Sequence, residues 1–448
     1  MTLGTAERIV EGVVALLEDV PGVRSLVPAG SLRRRRETVG DLDLLAETDD
    51  PAALVGRFTS LPVVQAVVNQ GPHKAAVRLV RGPQVDLMVM PPGEAGTYLV
   101  HFTGSKEHNV RLRAIARDRG WSLSEKGFAR LGEDSEVATG PGALLRTFAT
   151  EAEVYAFLGL AEVPPELRED RGEIEAALEG RLPRLVEVAD LQGDCHAHSD
   201  WSDGIHAIEQ MAEAARARGY GYLVLTDHTQ GLPIARGLDP QRVAAQRIAI
   251  GELNARFARE EASGEAPRTA HPDGFRLLHG CELEIRADGS LDYDDDLLAS
   301  FDLVAAALHQ GRRQPRAQLT ARVLGAIRSP HVDVIAHPAG RMLGERARDD
   351  LDLDWDAIFG AAAATGTLLE IDGSDHRLDL SAERARLAVE AGCLLTIDSD
   401  AHRVEELDEI RWGVAQARRA WVGPDVVANT WPRARLLEWV AGKPRRVA

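Results

Sequence analysis

Cysteine is scarce in this chain of 448 residues: Cys195, Cys281 and Cys393 stand apart, with no CxxC spacing. That excludes a disulfide framework and a zinc ribbon, and leaves the thiols as small core fillers. Long apolar runs are missing too. The best, such as Leu303–Leu308, have the length of a strand and fall far short of the ~18 residues a membrane span needs. The N-terminal stretch carries Glu7, Glu11, Glu18 and Asp19 inside its apolar pattern, which reads as an amphipathic helix near Ala6–Leu17 and excludes a signal peptide. A cytoplasmic monomer with no membrane partner is expected. Nor is there a surplus of positive charge. Lys and Arg total 52 against 70 Asp and Glu, a net charge of −18, which argues against a generic nucleic-acid coat.

What is present is ordinary globular composition, 44% hydrophobic and 27% charged, and the length sets a prior of about three domains. The charge is unevenly spread. Residues 1–150 carry 18 basic and 18 acidic side chains, so the whole deficit lies beyond them. An acidic surface repels phosphates unless bound cations invert the local field. The first segment alternates helix and strand, with β-like runs around Leu42–Leu45, Val63–Val68 and Val85–Met90 and shorter ones near Trp121–Leu123 and Phe128–Leu131. An acidic, Pro-containing stretch toward Asp190 reads as a linker with one short helix.

From residue 191 the rhythm changes. Strand-sized apolar runs recur near Leu191–His196, Tyr222–Thr226, Arg276–Ile285, Leu303–Leu308, Val332–Ala336, Thr367–Ile371 and Leu394–Ile397, most of them separated by Ala-rich helical stretches. Such βα alternation predicts a barrel, and barrel sites gather where the strands end. The exits carry Asp194-Cys195-His196-Ala197-His198, Ser202-Asp203-Gly204, Thr226-Asp227-His228, Gly280-Cys281-Glu282, Leu308-His309, Ala336-His337-Pro338 and Ser399-Asp400-Ala401-His402. A lone buried histidine is most often satisfied by a hydrogen bond, but six of 14 histidines at strand exits are not scatter. Nitrogen and oxygen ligands without cysteine favour Zn²⁺ or Mn²⁺, and their number exceeds what one zinc needs. Two or three metals sharing carboxylates follow. Trp201 is a candidate to stack on a base at the rim and Arg341 to hold a phosphate; packing and a plain surface position are the alternatives.

Residues 30–45 read GSLRRRRETVGDLDLL. Asp41 and Asp43 alternate on a strand and face one side; a second strand brings Asp86. Three carboxylates on adjacent strands suit two-metal nucleotidyl transfer with Mg²⁺ or Mn²⁺. The Gly30-Ser31 turn offers an amide and a hydroxyl to a triphosphate. Arg33–Arg36, taken alone, is a solvated basic run.

The exit motifs resemble the PHP (polymerase and histidinol phosphatase) family of metal phosphoesterases over roughly 191–435. That resemblance implies a distorted seven-stranded barrel and nine ligands: His196, His198, Asp203, His228, Glu282, His309, His337, Asp400 and His402. The first segment, with the stretch His101-Phe102-Thr103-Gly104-Ser105-Lys106-Glu107-His108-Asn109, resembles the palm and thumb of family X DNA polymerases. By matched position Asp41, Asp43 and Asp86 hold the catalytic metals. Gly30, Ser31, Arg34, Gly40, Phe102, Gly104 and Asn109 contact the nucleotide, and Arg113 the template strand. His101 stands where that family places tyrosine. The fold class implied is α/β: a nucleotidyltransferase palm over 1–92, a thumb-like part over 93–165, a linker over 166–190, and the barrel over 191–435. Family members carry a lyase-like domain and helix-hairpin-helix fingers ahead of the palm; without those grips synthesis is expected to be weak. The activities implied are 3′-5′ exonuclease action in the barrel and deoxynucleotide addition in the palm, in DNA repair, with gapped DNA, 3′ ends and deoxynucleoside triphosphates as partners. A histidinol-phosphatase-like enzyme with a vestigial palm and a non-enzymatic DNA-end-binding palm that tethers the barrel are the alternatives.

Overall fold

The computed structural model describes residues 1–132, 136–137, 144–263, 271 and 273–442. The chain divides into two compact units, Met1–Pro183 and Arg184–Ala448. In the first, a helix over Leu3–Ala15 buries Leu3, Ala6, Val10 and Val13, which share one face at three- and four-residue spacing. A mixed sheet follows, formed by β1 (Val23–Pro28), β2 (Leu42–Thr48), β3 (Val64–Gln70), β4 (Lys74–Leu79) and β5 (Gln84–Met90) in the order β1-β2-β5-β4-β3. β2 and β5 run parallel, and their register sets Asp43 opposite Asp86. The remaining neighbours pair antiparallel.

Helices Ala95–Thr103 and Lys106–Asp118 come next, the second started by Ser105, whose hydroxyl accepts from the His108 amide at 3.1 Å. A small sheet of β6 (Trp121–Ser124), β7 (Gly127–Arg130) and β8 (Leu145–Arg146) packs Trp121, Phe128, Phe148 and Phe157 edge to face. Residues 166–183 do not behave as the linker expected there. Arg168 is fully buried and donates to Glu151 and to the Val163 carbonyl, and Glu173 is buried against His108. Eleven acidic residues over 151–190 signalled solvation; burying two of them is possible because each meets a cationic or imidazole partner.

The second unit is a ring of seven parallel strands in chain order: β9 (Gly193–Ala197), β10 (Tyr222–Leu225), β11 (Arg276–Glu284), β12 (Leu303–Ala307), β13 (Val334–Ile335), β14 (Leu368–Asp372) and β15 (Leu395–Asp398). Helices fill the connections, among them Ile208–Ala217, Pro240–Ser263, Arg316–Arg328, Trp355–Thr365 and Ala382–Glu390. The ring is nearly closed by a parallel bridge between Ala197 and Ala401. Asn429 completes the seam. Fully buried, its Nδ2 donates to the Gly193 carbonyl on β9 (3.0 Å) and to the Ile397 carbonyl on β15, while its Oδ1 accepts from the Ile397 amide at 3.0 Å. The three cysteines are free and buried in the core as expected.

Candidate functional site

The palm carboxylates gather at one end of β2 and β5. Burial raises the Asp43 carboxyl above its ordinary range, and the neighbouring charges of Asp86 and Asp41 add to it. Asp86 accepts from Gln84 Nε2 with both oxygens, at 3.0 and 3.2 Å. Gly30 has φ +58°, and a Cβ there would stand 3.0 Å from Asp43 Oδ2, so the backbone passes against the carboxylate in a conformation glycine alone adopts without strain. Ser31 follows in the short helix Gly30–Arg33. Phe102 lines one cavity with Asp43 and Asp86, about 150 Å³ in volume.

The other palm residues singled out by the resemblance are held by the chain itself or stand exposed. Arg34 is buried, with Nε on Glu169 at 3.0 Å and Nη1 on the Thr103 carbonyl at 2.8 Å. The arginine run is not a solvated patch: Arg33 pairs with Glu151, Arg35 with Glu7 and Arg36 with Glu169. Asn109 turns its Nδ2 onto the His101 carbonyl at 2.8 Å, and a Cβ on Gly104 would collide with Asn109 and His108. These two therefore shape the turn between helices. Arg113 is exposed on the same helix, and Gly40 is exposed with open space where a Cβ would be.

In the barrel the structure brings all nine expected ligands together. Three groups have donor atoms within 4.8 Å of one another: His198, Asp203, His228 and His402; His196, His198 and Asp400; His228, Glu282 and His309. His337 joins through Nε2, 2.7 Å from Glu282 Oε1. The alternation of a strand explains the first pair, since His196 and His198 project to one side of β9. Both His337 (φ +29°) and Asp400 (φ +52°) sit in left-handed backbone, strain of the kind that concentrates at functional sites.

The electrostatics is that of buried carboxylates and imidazoles crowded against one another. Burial favours neutral groups here, yet Glu282 and Asp400 stay well below the usual carboxylate range, because histidines crowd them. Burial likewise opposes protonated His228, but Glu282 and Asp203 outweigh it and lift it to about 10. His198 goes the other way, down to about 3, by burial and the neighbouring His402 and His228. Burial and Arg377 push His337 to about 3. Two ligand atoms, His198 Nδ1 and Glu282 Oε2, are buried with no hydrogen-bond partner. His228 Nδ1 lies 2.8 Å from that Glu282 oxygen without hydrogen-bond geometry. Buried polar atoms left open like this fit divalent cations.

Several supporting residues escaped the sequence reading. Glu370, on the one strand whose exit offered no ligand, takes His196 Nδ1 at 2.6 Å and the His337 amide at 2.5 Å. Glu284 takes His309 Nδ1 at 2.7 Å. Such carboxylate–imidazole contacts fix which ring nitrogen faces a metal. Arg377 Nε lies 3.3 Å from both Asp400 and Asp372. Glu284 was findable, two residues beyond Glu282 on one strand face. Trp201 is half-buried and packs into the core, and Arg341 is buried, holding the Arg377 and Leu378 carbonyls. Neither takes the rim role considered for it.

The thumb family of DNA polymerase beta matches residues 98–169. The DNA polymerase/3′-5′ exonuclease PolX of Bacillus subtilis (strain 168) is 39% identical over 429 residues, 95% of this chain and 70% of that protein. The chain belongs to the PolX family. Probable phosphatases match less: one of Thermoanaerobacter sp. (strain X514) is 25% identical over 57% of this chain and 96% of its own length, and one of Syntrophotalea carbinolica is 26% identical over 55% and 94%. PolX family membership thus accounts for both units, and the phosphatase likeness for little more than half of the chain.

Proposed function

We propose that this PolX-family chain removes nucleotides from the 3′ ends of DNA with its barrel and adds deoxynucleotides to DNA with its palm, in the service of DNA repair. The observation that carries the reading is the convergence of nine ligand side chains in one cluster, five histidines of it around Glu282, with buried ligand atoms left unpartnered. Two or three cations, Mn²⁺ or Zn²⁺, would be held by the three ligand groups, with His337 shared through Glu282. When bound, such cations lower the pKa of water and neutralise charge on the departing oxygen. The chain's own part is orientation. Glu370 and Glu284 fix the His196 and His309 rings, and Arg377 holds Asp400. In the palm, Asp41, Asp43 and Asp86 would hold Mg²⁺ or Mn²⁺, and the Gly30-Ser31 turn, the Phe102 wall and Asn109 would frame the nucleotide. The Bacillus relative, a DNA polymerase/3′-5′ exonuclease, supports both halves. Acting on DNA implies a cytoplasmic location; among the described residues no helix is long and apolar enough to cross a membrane.

The test is digestion of a 5′-labelled single strand with Mn²⁺. We expect a ladder shortening from the 3′ end, abolished by His337→Ala while the melting temperature holds. Equal rates in the two proteins would sink the reading. The phosphatase likeness favours a second reading, a small-molecule phosphomonoesterase. Hydrolysis of histidinol phosphate with no digestion of DNA would promote it.

A further inference from the structure

Two arginines at the mouth of the barrel have no place in the ligand cluster. Arg312 follows His309 at the exit of β12, and Arg348 lies in the connection after β13, beyond His337. Arg312 reaches only backbone carbonyls, Leu308 at 3.4 Å and Gly340, and Arg348 Nε donates to the same Gly340 carbonyl at 3.1 Å. Among the described residues neither has a carboxylate partner, while nearby Arg377, Arg384 and Arg316 all do. Arginine presents several donors in one plane, a geometry built for anions.

The position is built, and at a cost. Gly340 has φ +59°, and any Cβ there would collide with the Arg312 guanidinium, so the two cations can share its carbonyl only because the residue is glycine. Partial burial, then the like charges of Arg348 and Arg377, depress Arg312 to about 10. Arg348 is lowered by burial and by Arg377. Held side by side, with only the charge of Asp379 set against them, these guanidinium groups are most comfortable against a polyanion.

We propose that Arg312 and Arg348 form a clamp for a backbone phosphate of the polynucleotide next to the one cleaved in the metal centre. This rests on the exonuclease reading above. A small phosphate ester spends its single phosphate in the metal centre and leaves the clamp empty, whereas a DNA strand fills both. The clamp would thus select polymer over monomer. Arg341 acts indirectly, by tying down the loop that carries Arg377.

The experiment compares wild type with Arg312→Ala, Arg348→Ala and the charge-keeping Arg312→Lys. Readouts are anisotropy binding of a labelled single-stranded oligonucleotide, its 3′ digestion with Mn²⁺, and hydrolysis of bis(p-nitrophenyl) phosphate. Each Ala variant should raise the KM for the oligonucleotide about tenfold and flatten the log–log salt dependence of binding by roughly 0.7, the share of one phosphate contact on a single strand. Preference for oligonucleotide over the small diester should fall by the same factor, and Arg312→Lys should recover part of it. Equal losses on both substrates, or an unchanged salt slope, would overturn the clamp while leaving the exonuclease standing. Arginine-dependent binding without any digestion would instead overturn the exonuclease and keep the clamp. Gly340→Ala, which displaces Arg312 without removing charge, should reproduce the KM effect; a silent Gly340→Ala counts against the proposal.

Discussion

The carboxylate of Glu282 lies within 3.6 Å of nitrogens from five histidines, His196, His198, His228, His309 and His337. Its neighbour in function, Glu370, touches no cation site directly but sets the His196 ring. Glu370→Gln should therefore lower metal affinity about 10–100-fold, the usual effect of removing a ligand's orienting partner; metal retained after dialysis, counted by elemental analysis, checks it. A different residue contributes to acid stability. His108 is buried between Glu173 and Tyr155, at 2.7 and 3.0 Å. Burial lowers its pKa, outweighing the help of Glu173, and Glu173 is itself lowered by His108 and backbone amides in spite of its own burial. An imidazole kept neutral in the fold takes up its proton on unfolding, near pH 6.5, so stability is full above that pH and is lost as pH falls toward the folded value. The lowered Glu173 works in the same direction at still lower pH. Melting temperatures from pH 8 to 5 should drop less steeply in His108→Gln than in wild type. Parallel curves would show that His108 does not titrate as described.

Among the elements, the seam between β9 and β15 is held by Asn429 together with Asp398, which takes the Cys195 amide, and Asp194, which takes the Ser399 amide. Replacing Asn429 by Ala leaves buried donors and acceptors on both strands without partners, which costs about 3 kcal/mol. Thermal unfolding of Asn429→Ala should start roughly 6–12 °C lower on that account. The seven barrel strands were legible because strands buried on both faces read as continuous apolar runs, as LVAAA on β12 does. β1 and β4 were not. Arg24 and Ser25 interrupt the first, and the alanines of Lys74–Leu79 carry little β preference, so it is its hairpin with β5 that makes a strand of it. The ligands were legible as short motifs, each complete within a few residues. Their supports were not, since Glu370 meets His196 from 174 residues away and Arg33 meets Glu151 across 118. Local pattern carries no trace of such pairs.

On the scale of the whole molecule, two carboxylate-based sites stand on two separate compact units. Asp86→Ala should abolish primer extension on gapped duplex and leave 3′ digestion intact, with His337→Ala giving the converse. Extension that survives Asp86→Ala would mean the palm has been misread. The seam also gives the barrel an order of assembly. All seven strands have left the ribosome once Asp398 has emerged, yet Asn429, which adds to the Asp398 and Asp194 links between the first strand and the last, arrives only later. Through that interval the seam between the two edge strands lacks its Asn429 links, and a loosely held edge is open to other strands. A chain halted before Asn429 should therefore be recovered with chaperones or as aggregate more than one released just after it.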